Sequence, residues 1–135
     1  MIALETSFVF IMGDLEKEVY ELIGLCMEVH SELGPGFSEA IYKDALEIEL
    51  KKHDIPYQRE KSFKVLYKGE ILPKRYNADF VVYDSIILEA KAVSSIIDDF
   101  VKKTISYLKV SNLNLGIIAN FGERSFRYRR VVHEY

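Results

Sequence analysis

Between Ile86 and Val93 the chain reads Ile-Ile-Leu-Glu-Ala-Lys-Ala-Val, so six apolar side chains enclose two charges. A short apolar run of this kind is the pattern of a buried strand. An unpaired charge inside it would be costly, so Glu89 and Lys91 each demand a partner. Because side chains alternate along a strand, the two point to the same face. Asp79 stands ten residues before Glu89. Two carboxylates able to meet beside a lysine are the groups that divalent-metal hydrolysis of a phosphodiester needs.

Whether the acids meet depends on the turn between them. A two-residue turn at Asp84-Ser85 would set Asp79 opposite Ala90 and face it away from Glu89. A three-residue loop, Tyr83-Asp84-Ser85, sets Asp79 opposite Glu89. The pairing therefore requires an odd loop, a bulge, or an Asp79 lying beyond the regular ladder. A cross-strand salt bridge of Lys91 with Glu89 or Asp79, without any metal, fits the same spacing. Were a metal held, Asp79, Glu89 and the Ala90 carbonyl would offer the hard oxygens that Mg²⁺ or Mn²⁺ prefers.

The rest of the chain divides by period. Leu15, Val19, Leu22, Cys26, Val29 and Leu33 recur at helical steps, predicting a helix over Asp14–Leu33 with Asp14 as N-cap. Gly34-Pro35-Gly36 ends it. A second helix is expected over Ser38–His53, with Ser38 as N-cap and Ile41, Ala45 and Ile48 on its apolar face. From Pro56 the period falls to two. Phe63, Val65 and Tyr67 alternate up to a turn at Gly69, and strands follow at Asn77–Tyr83 and Ile86–Val93. Ser95 and Asp98 suggest a capping box for a helix reaching Asn112, with Ile97, Val101, Ile105 and Leu108 inward. Leu115–Asn120 and Phe126–Val132 close the chain as strands. The order helix, helix, three strands, helix, two strands describes an α/β fold, a mixed sheet with flanking helices.

At 135 residues the chain supports one domain, with Met1–Met12 as a candidate N-terminal extension ahead of an alternative start at Met12. No stretch is long enough to span a bilayer, and the first residues lack a basic leader. A lone cysteine, Cys26, excludes an intramolecular disulfide and a cysteine metal cage, and fits a reducing, cytoplasmic setting. The net charge of −3 argues against a protein that coats nucleic acid. Acids crowd the first half, whereas bases gather at Lys61–Arg75 and Arg124–Arg130. Those clusters are either solvated strand faces or surfaces for a polyanion.

A further signal is Gly36-Phe37-Ser38-Glu39-Ala40-Ile41-Tyr42. Glu39 complements the dipole of the second helix, and Tyr42, one turn on, suits a core position with a polar tip. Catalytic roles are the alternative for both.

Taken together, these stretches resemble the GxxExxY family, a branch of the PD-(D/E)XK nuclease superfamily. The resemblance rests on Val29–Tyr42, Ala78-Asp79, Leu88–Val93, Tyr107-Leu108-Lys109, Gly116–Gly122 and Arg129–Val132, and runs from Asp14 to Val132. It implies a restriction-endonuclease-like αβββαβ core with an extra N-terminal helix. It also implies a metal-dependent nuclease site in which Glu39, Asp79, Glu89 and Lys91 are catalytic, and Asp79, Glu89 and Glu39 hold Mg²⁺ or Mn²⁺. His30 matches a recurrent histidine of the branch without an assigned role, and Tyr42 ranks beside it. Lys103 departs from the pattern, since family members often carry glutamine there. An ammonium cannot accept a hydrogen bond, so Lys103 either contacts a phosphate or marks weakened activity.

The function implied is hydrolysis of DNA, in preference to RNA, by a metal-activated water. Lys74, Arg75, Arg127 and Arg129 would contact nucleic acid, and a homodimer would place one site on each strand of a duplex. The alternative is a nuclease fold that no longer cuts and binds nucleic acid or a protein. No phosphate-cradling glycine loop, nucleophile elbow or Cys–His pair supports another enzyme class.

Overall fold

The computed structural model describes residues 2–134, with side chains from Leu15 onward. Helix α1 covers Ile2–Leu33 and α2 covers Glu39–Lys52. Strand β1 is Tyr57–Phe63, and a small hairpin of β2 (Leu66–Tyr67) and β3 (Glu70–Ile71) follows it. Then come β4 (Tyr76–Val82), β5 (Ile86–Lys91), α3 (Asp98–Ser111), β6 (Leu115–Asn120) and β7 (Arg127–Val132). The main sheet has the order β1-β4-β5-β6-β7. Only β5 and β6 run parallel, and α3 makes the crossover between them. This is the mixed sheet with flanking helices that the sequence predicts.

Two cores sandwich the sheet. Ile86, Leu88 and Ala90 of β5 pack on one face with α1 and α2, alongside Leu22, Cys26, Leu46 and Leu50. Ile87 packs on the other face with Tyr107 and Leu108 of α3 and Ile118 of β6. Strand β5 is covered on both sides, which is why its sequence is apolar without alternation. Glu89 and Lys91 fall on the α3 face.

Helix α1 ends where expected. Gly34 takes φ 67°, which a side chain would resist, and its N–H donates to the His30 carbonyl. Its start differs from expectation: α1 runs through Asp14 without a break, so Asp14 is not an N-cap. Met1 lies outside the described residues. In α2 the buried ridge is Tyr42, Leu46 and Leu50, whereas Ile41 and Ile48 are exposed. The tyrosine can take the core position because its hydroxyl donates to the Gly34 carbonyl and accepts from the Phe37 N–H. Ser38 stands at the N-cap in extended backbone, yet its side chain makes no capping bond. Helix α3 begins after Ile97, not Ser95, and Ile97 is itself exposed. Thr104 and Tyr107 take the inward places beside Leu108.

The end of the sheet that carries Lys91 is tied by Asn120, which is fully buried. Its side chain accepts from the Val93 and Gly122 N–H groups and donates to the Val93 carbonyl and the Glu123 carboxylate. Gly122 crosses so close to the backbone of Ala92 and Val93 that an added methyl group would overlap both. Main chain cannot swing aside as a side chain can. Gly122→Ala is therefore expected to cost about 2 kcal/mol or more in urea unfolding. A change within about 0.5 kcal/mol would contradict this packing.

Candidate active site

The loop between β4 and β5 is the odd-length one: Val82 pairs with Ile86 across Tyr83-Asp84-Ser85. Tyr83 and Asp84 both take positive φ, at 57° and 53°, which lets three residues reverse the chain. The paired ladder runs back only to Phe80 and Leu88. Beyond it the strands are joined through the acids themselves. The Asp79 N–H donates to Glu89 Oε2 at 2.7 Å, and the Ala90 N–H donates to Asp79 Oδ2 at 2.9 Å. Each carboxylate takes the place of a backbone carbonyl from the opposite strand, so both acids are fixed by main chain.

The pair is electrostatically strained. Burial is the first reason that the Glu89 pKa is pushed up, to about 8, and the nearby Asp79 charge is the second. The Asp79 N–H, the Tyr107 hydroxyl and Lys91 oppose the rise. Burial and the Glu89 charge in turn push the Tyr107 phenol up. Lys91 shares the strand face of Glu89 and leans on the Phe100 ring, 4.6 Å from its centroid.

Sequence patterning does not announce two further charged partners. Lys43 of α2 places Nζ 2.8 Å from Glu60 Oε1 and 3.3 Å from Asp79 Oδ1. Helical i, i+4 spacing pairs Lys43 with Glu39, whereas its ammonium is placed on Glu60 and Asp79. Glu60 carries no such signal. It lies opposite Asp79 in the β1–β4 register, between Arg59↔Phe80 and Lys61↔Ala78, and takes φ 55°. A left-handed non-glycine residue inside a strand is strained by on the order of 1–3 kcal/mol.

The remaining expected residues divide. The Glu39 carboxylate makes no hydrogen bond or ion pair with Asp79, Glu89 or Lys91 among the described residues. Nor do three acidic, histidine or cysteine side chains among those residues gather closely enough to cage a metal. His30 tethers the end of α1 by bonding Nε2 to the Glu123 carbonyl at 2.8 Å. Tyr42 stacks on Phe121 at 4.8 Å and is buried. Lys103 is exposed, lies over the Tyr107 ring, and lines a cavity of about 230 Å³ with Lys74, Arg75, Tyr76 and Asn77. Arg127 and Arg129 are exposed on β7, across the sheet. By register Arg127 continues the row of Lys91 and Asn120, and Arg129 that of Glu89 and Ile118. Arg129 also faces Asp98 at 3.8 Å.

The donor set suits a divalent cation. Two adjacent carboxylates repel one another, and Asp79 Oδ1 already attracts a cation, the Lys43 ammonium. A mixed sheet with an acid from one strand, a Glu-x-Lys on the next and helices on both faces defines the nuclease class built around such a carboxylate pair. The chain belongs to the PD-(D/E)XK nuclease superfamily, whose sequence model matches residues 16–131. Members of this superfamily typically use divalent metal ions and act on nucleic acid. A solved protein named SSO0001 shares the fold, with TM-score 0.59 and 18% identity over 71% of this chain. The chain spans 50% of that protein's length. Comparison with curated proteins finds no match. No helix among the described residues is long and apolar enough to cross a membrane.

The raised Glu89 pKa makes the metal-free protein pH-sensitive. The folded state binds this proton more tightly than the unfolded chain, whose glutamate titrates near the ordinary 4.5. That stabilisation is complete below the unfolded value and is lost as pH rises through about 8. In EDTA, the thermal midpoint is expected to fall between about pH 5 and about pH 9, and Glu89→Gln to flatten the fall. Equal slopes for both proteins in circular dichroism melts would refute the assignment.

Proposed function

We propose that the chain is a Mg²⁺- or Mn²⁺-dependent nuclease of the GxxExxY branch, cutting DNA in preference to RNA. The observation that carries the reading is the acid pair, locked to backbone N–H groups beside Lys91. Asp79 and Glu89 would hold the cation, with the Ala90 carbonyl completing the set and Glu39 orienting water from the start of α2. A divalent ion bound there supplies positive charge for the phosphate and acidifies water. Lys91 orients the attacking water or neutralises charge at phosphorus, since its ammonium lies on the Glu89 face of β5. Fixing the acids before substrate arrives leaves little reorganisation for the reaction itself.

The bases fit a strand passing over this end of the sheet. Lys74, Arg75 and Lys103 line one cavity, which supports a phosphate-contacting role for Lys103. Arg127 and Arg129 lie on the far flank. The β2–β3 hairpin adds exposed Leu66, Tyr67 and Ile71 beside Lys68, which sits over the Tyr67 ring. A two-stranded ribbon is narrow enough for a DNA groove. This hairpin is the recognition element of the proposal, with a homodimer supplying the second cut.

The second reading, a fold that binds without cutting, is favoured by Lys103 and by a Glu39 carboxylate that makes no bond to the acid pair. Plasmid and single-stranded DNA incubated with Mg²⁺, Mn²⁺ or EDTA separate the two readings. Metal-dependent cutting is expected, reduced about 10³-fold or more in Asp79→Ala and Lys91→Ala. Stable binding without cutting under either metal would overturn the nuclease reading.

Ion pairing with phosphate leaves a salt signature. Replacing Lys74, Arg75 and Lys103 together with alanine is expected to weaken binding to all DNA sequences alike. The slope of log affinity against log salt should fall by roughly one for each phosphate that the variant no longer neutralises. An unchanged slope in fluorescence anisotropy would remove the cavity from the interface.

A further inference from the structure

We propose that Lys43 is an internal counter-cation of the acid pair, which a divalent ion must push off Asp79 and onto Glu60 in order to bind. The inference rests on the metal-site reading above and adds a residue that sets how much metal the site requires.

The geometry is that of a shared cation with two resting places. Lys43 Nζ reaches Glu60 Oε1 at 2.8 Å and Asp79 Oδ1 at 3.3 Å. The other Asp79 oxygen, Oδ2, is taken by the Ala90 N–H. Oδ1, the Asp79 oxygen with no main-chain bond, is the one that Lys43 occupies. Lys43 and Asp79 are largely enclosed, with side chains 16% and 17% exposed, so water screens their attraction only in part. Glu60 is 52% exposed and can keep the ammonium in contact with solvent. Displacement from Asp79 therefore transfers Lys43 to an anion it already touches and does not strand a charge.

The backbone of Glu60 supports this role. Its left-handed φ falls opposite Asp79, the point at which the ladder to β5 also stops. A lysine serving only to hold α2 on β1 would need neither the strained residue nor the Asp79 contact, because Arg59 already joins β1 to α2 through Asp44 and Glu47.

Charge arithmetic predicts opposite effects for the two partners. Removing Lys43 takes away the cation nearest Asp79 Oδ1, so a divalent ion should bind more tightly. Neutralising Glu60 removes the alternative anion and confines Lys43 to Asp79, so a divalent ion should bind more weakly. The test is calorimetric titration of the full chain with Mn²⁺, without nucleic acid, using wild type, Lys43→Met, Glu60→Gln and Asp79→Asn. Lys43→Met is expected to bind roughly tenfold more tightly, and Glu60→Gln several-fold more weakly, each change being on the order of one close charge contact. Asp79→Asn should abolish the heat and so identify the site. Affinity in Lys43→Met equal to or below that of wild type would overturn the proposal while leaving the metal site standing. Absence of Asp79-dependent binding in wild type and Lys43→Met alike would overturn both. Glu60→Gln alters an exposed group, so its predicted weakening still decides the matter should Lys43→Met fail to fold.

Discussion

Two hydrogen bonds in which a carboxylate replaces a backbone carbonyl organise this molecule. Where β4 and β5 stop pairing as a ladder, Asp79 and Glu89 bridge the gap through the Ala90 and Asp79 N–H groups. An orphaned N–H in a buried strand is costly, and an ionised acceptor satisfies it with a stronger bond than a carbonyl would make. The same bonds hold two carboxyl groups together, and burial with the Asp79 charge alongside raises the Glu89 pKa to about 8, so ionising both near neutral pH calls for a cation. Strand pairing and the need for a positive ion are thus one feature, and Lys43, Lys91 and the Tyr107 hydroxyl all converge on it.

The surrounding fold keeps that end of the sheet from fraying. Both chain segments that leave it, after β5 and after β6, are bound together by Asn120, and Gly122 lets their backbones touch. Tyr42 stacks on Phe121 while its hydroxyl closes the break between α1 and α2. His30 reaches the Glu123 carbonyl from the end of α1. Residues that sequence patterning offers as candidates for chemistry are here the clamps of the frame. Their polar tips are spent on main-chain groups.

The strand run around Glu89 is legible in the sequence because burial on both faces leaves an apolar run that a helix surface does not. The odd loop is decidable in principle too, since a one-residue change of register would turn Asp79 away. Patterning misplaces the ridge of α2 because Ile41 and Ile48 are more apolar than Tyr42, yet the break at Gly34 offers a tyrosine hydroxyl the partner that lets it enter the core. It misplaces the start of α3 for a related reason. Ser95 and Asp98 satisfy the capping pattern, but the chain bends through residues 93–95 and turns helical only after an extended Ile97. Helical spacing pairs Lys43 with Glu39, not with Asp79. Glu60 goes unannounced too, because a left-handed backbone inside a strand leaves no mark in the neighbouring residues.

The distribution of charge reconciles a net charge of −3 with the polyanionic substrate of the proposed function. Acids Glu28, Glu32 and Glu49 line, with Lys52, a cavity of about 340 Å³ between α1 and α2. Lys74, Arg75 and Lys103 border the α3 side of the sheet, and Arg127 and Arg129 extend along the rows of Lys91 and Glu89. Net charge governs attraction at long range, where salt screens it over roughly 8 Å, but docking is decided by the local field. A polyanion approaching the α1–α2 groove meets acids, and one approaching the α3 side meets bases. For the proposed reaction, the acidic surplus then acts as an orienting device, since the face that repels phosphate lies across the sheet from the face that carries Glu89 and Lys91.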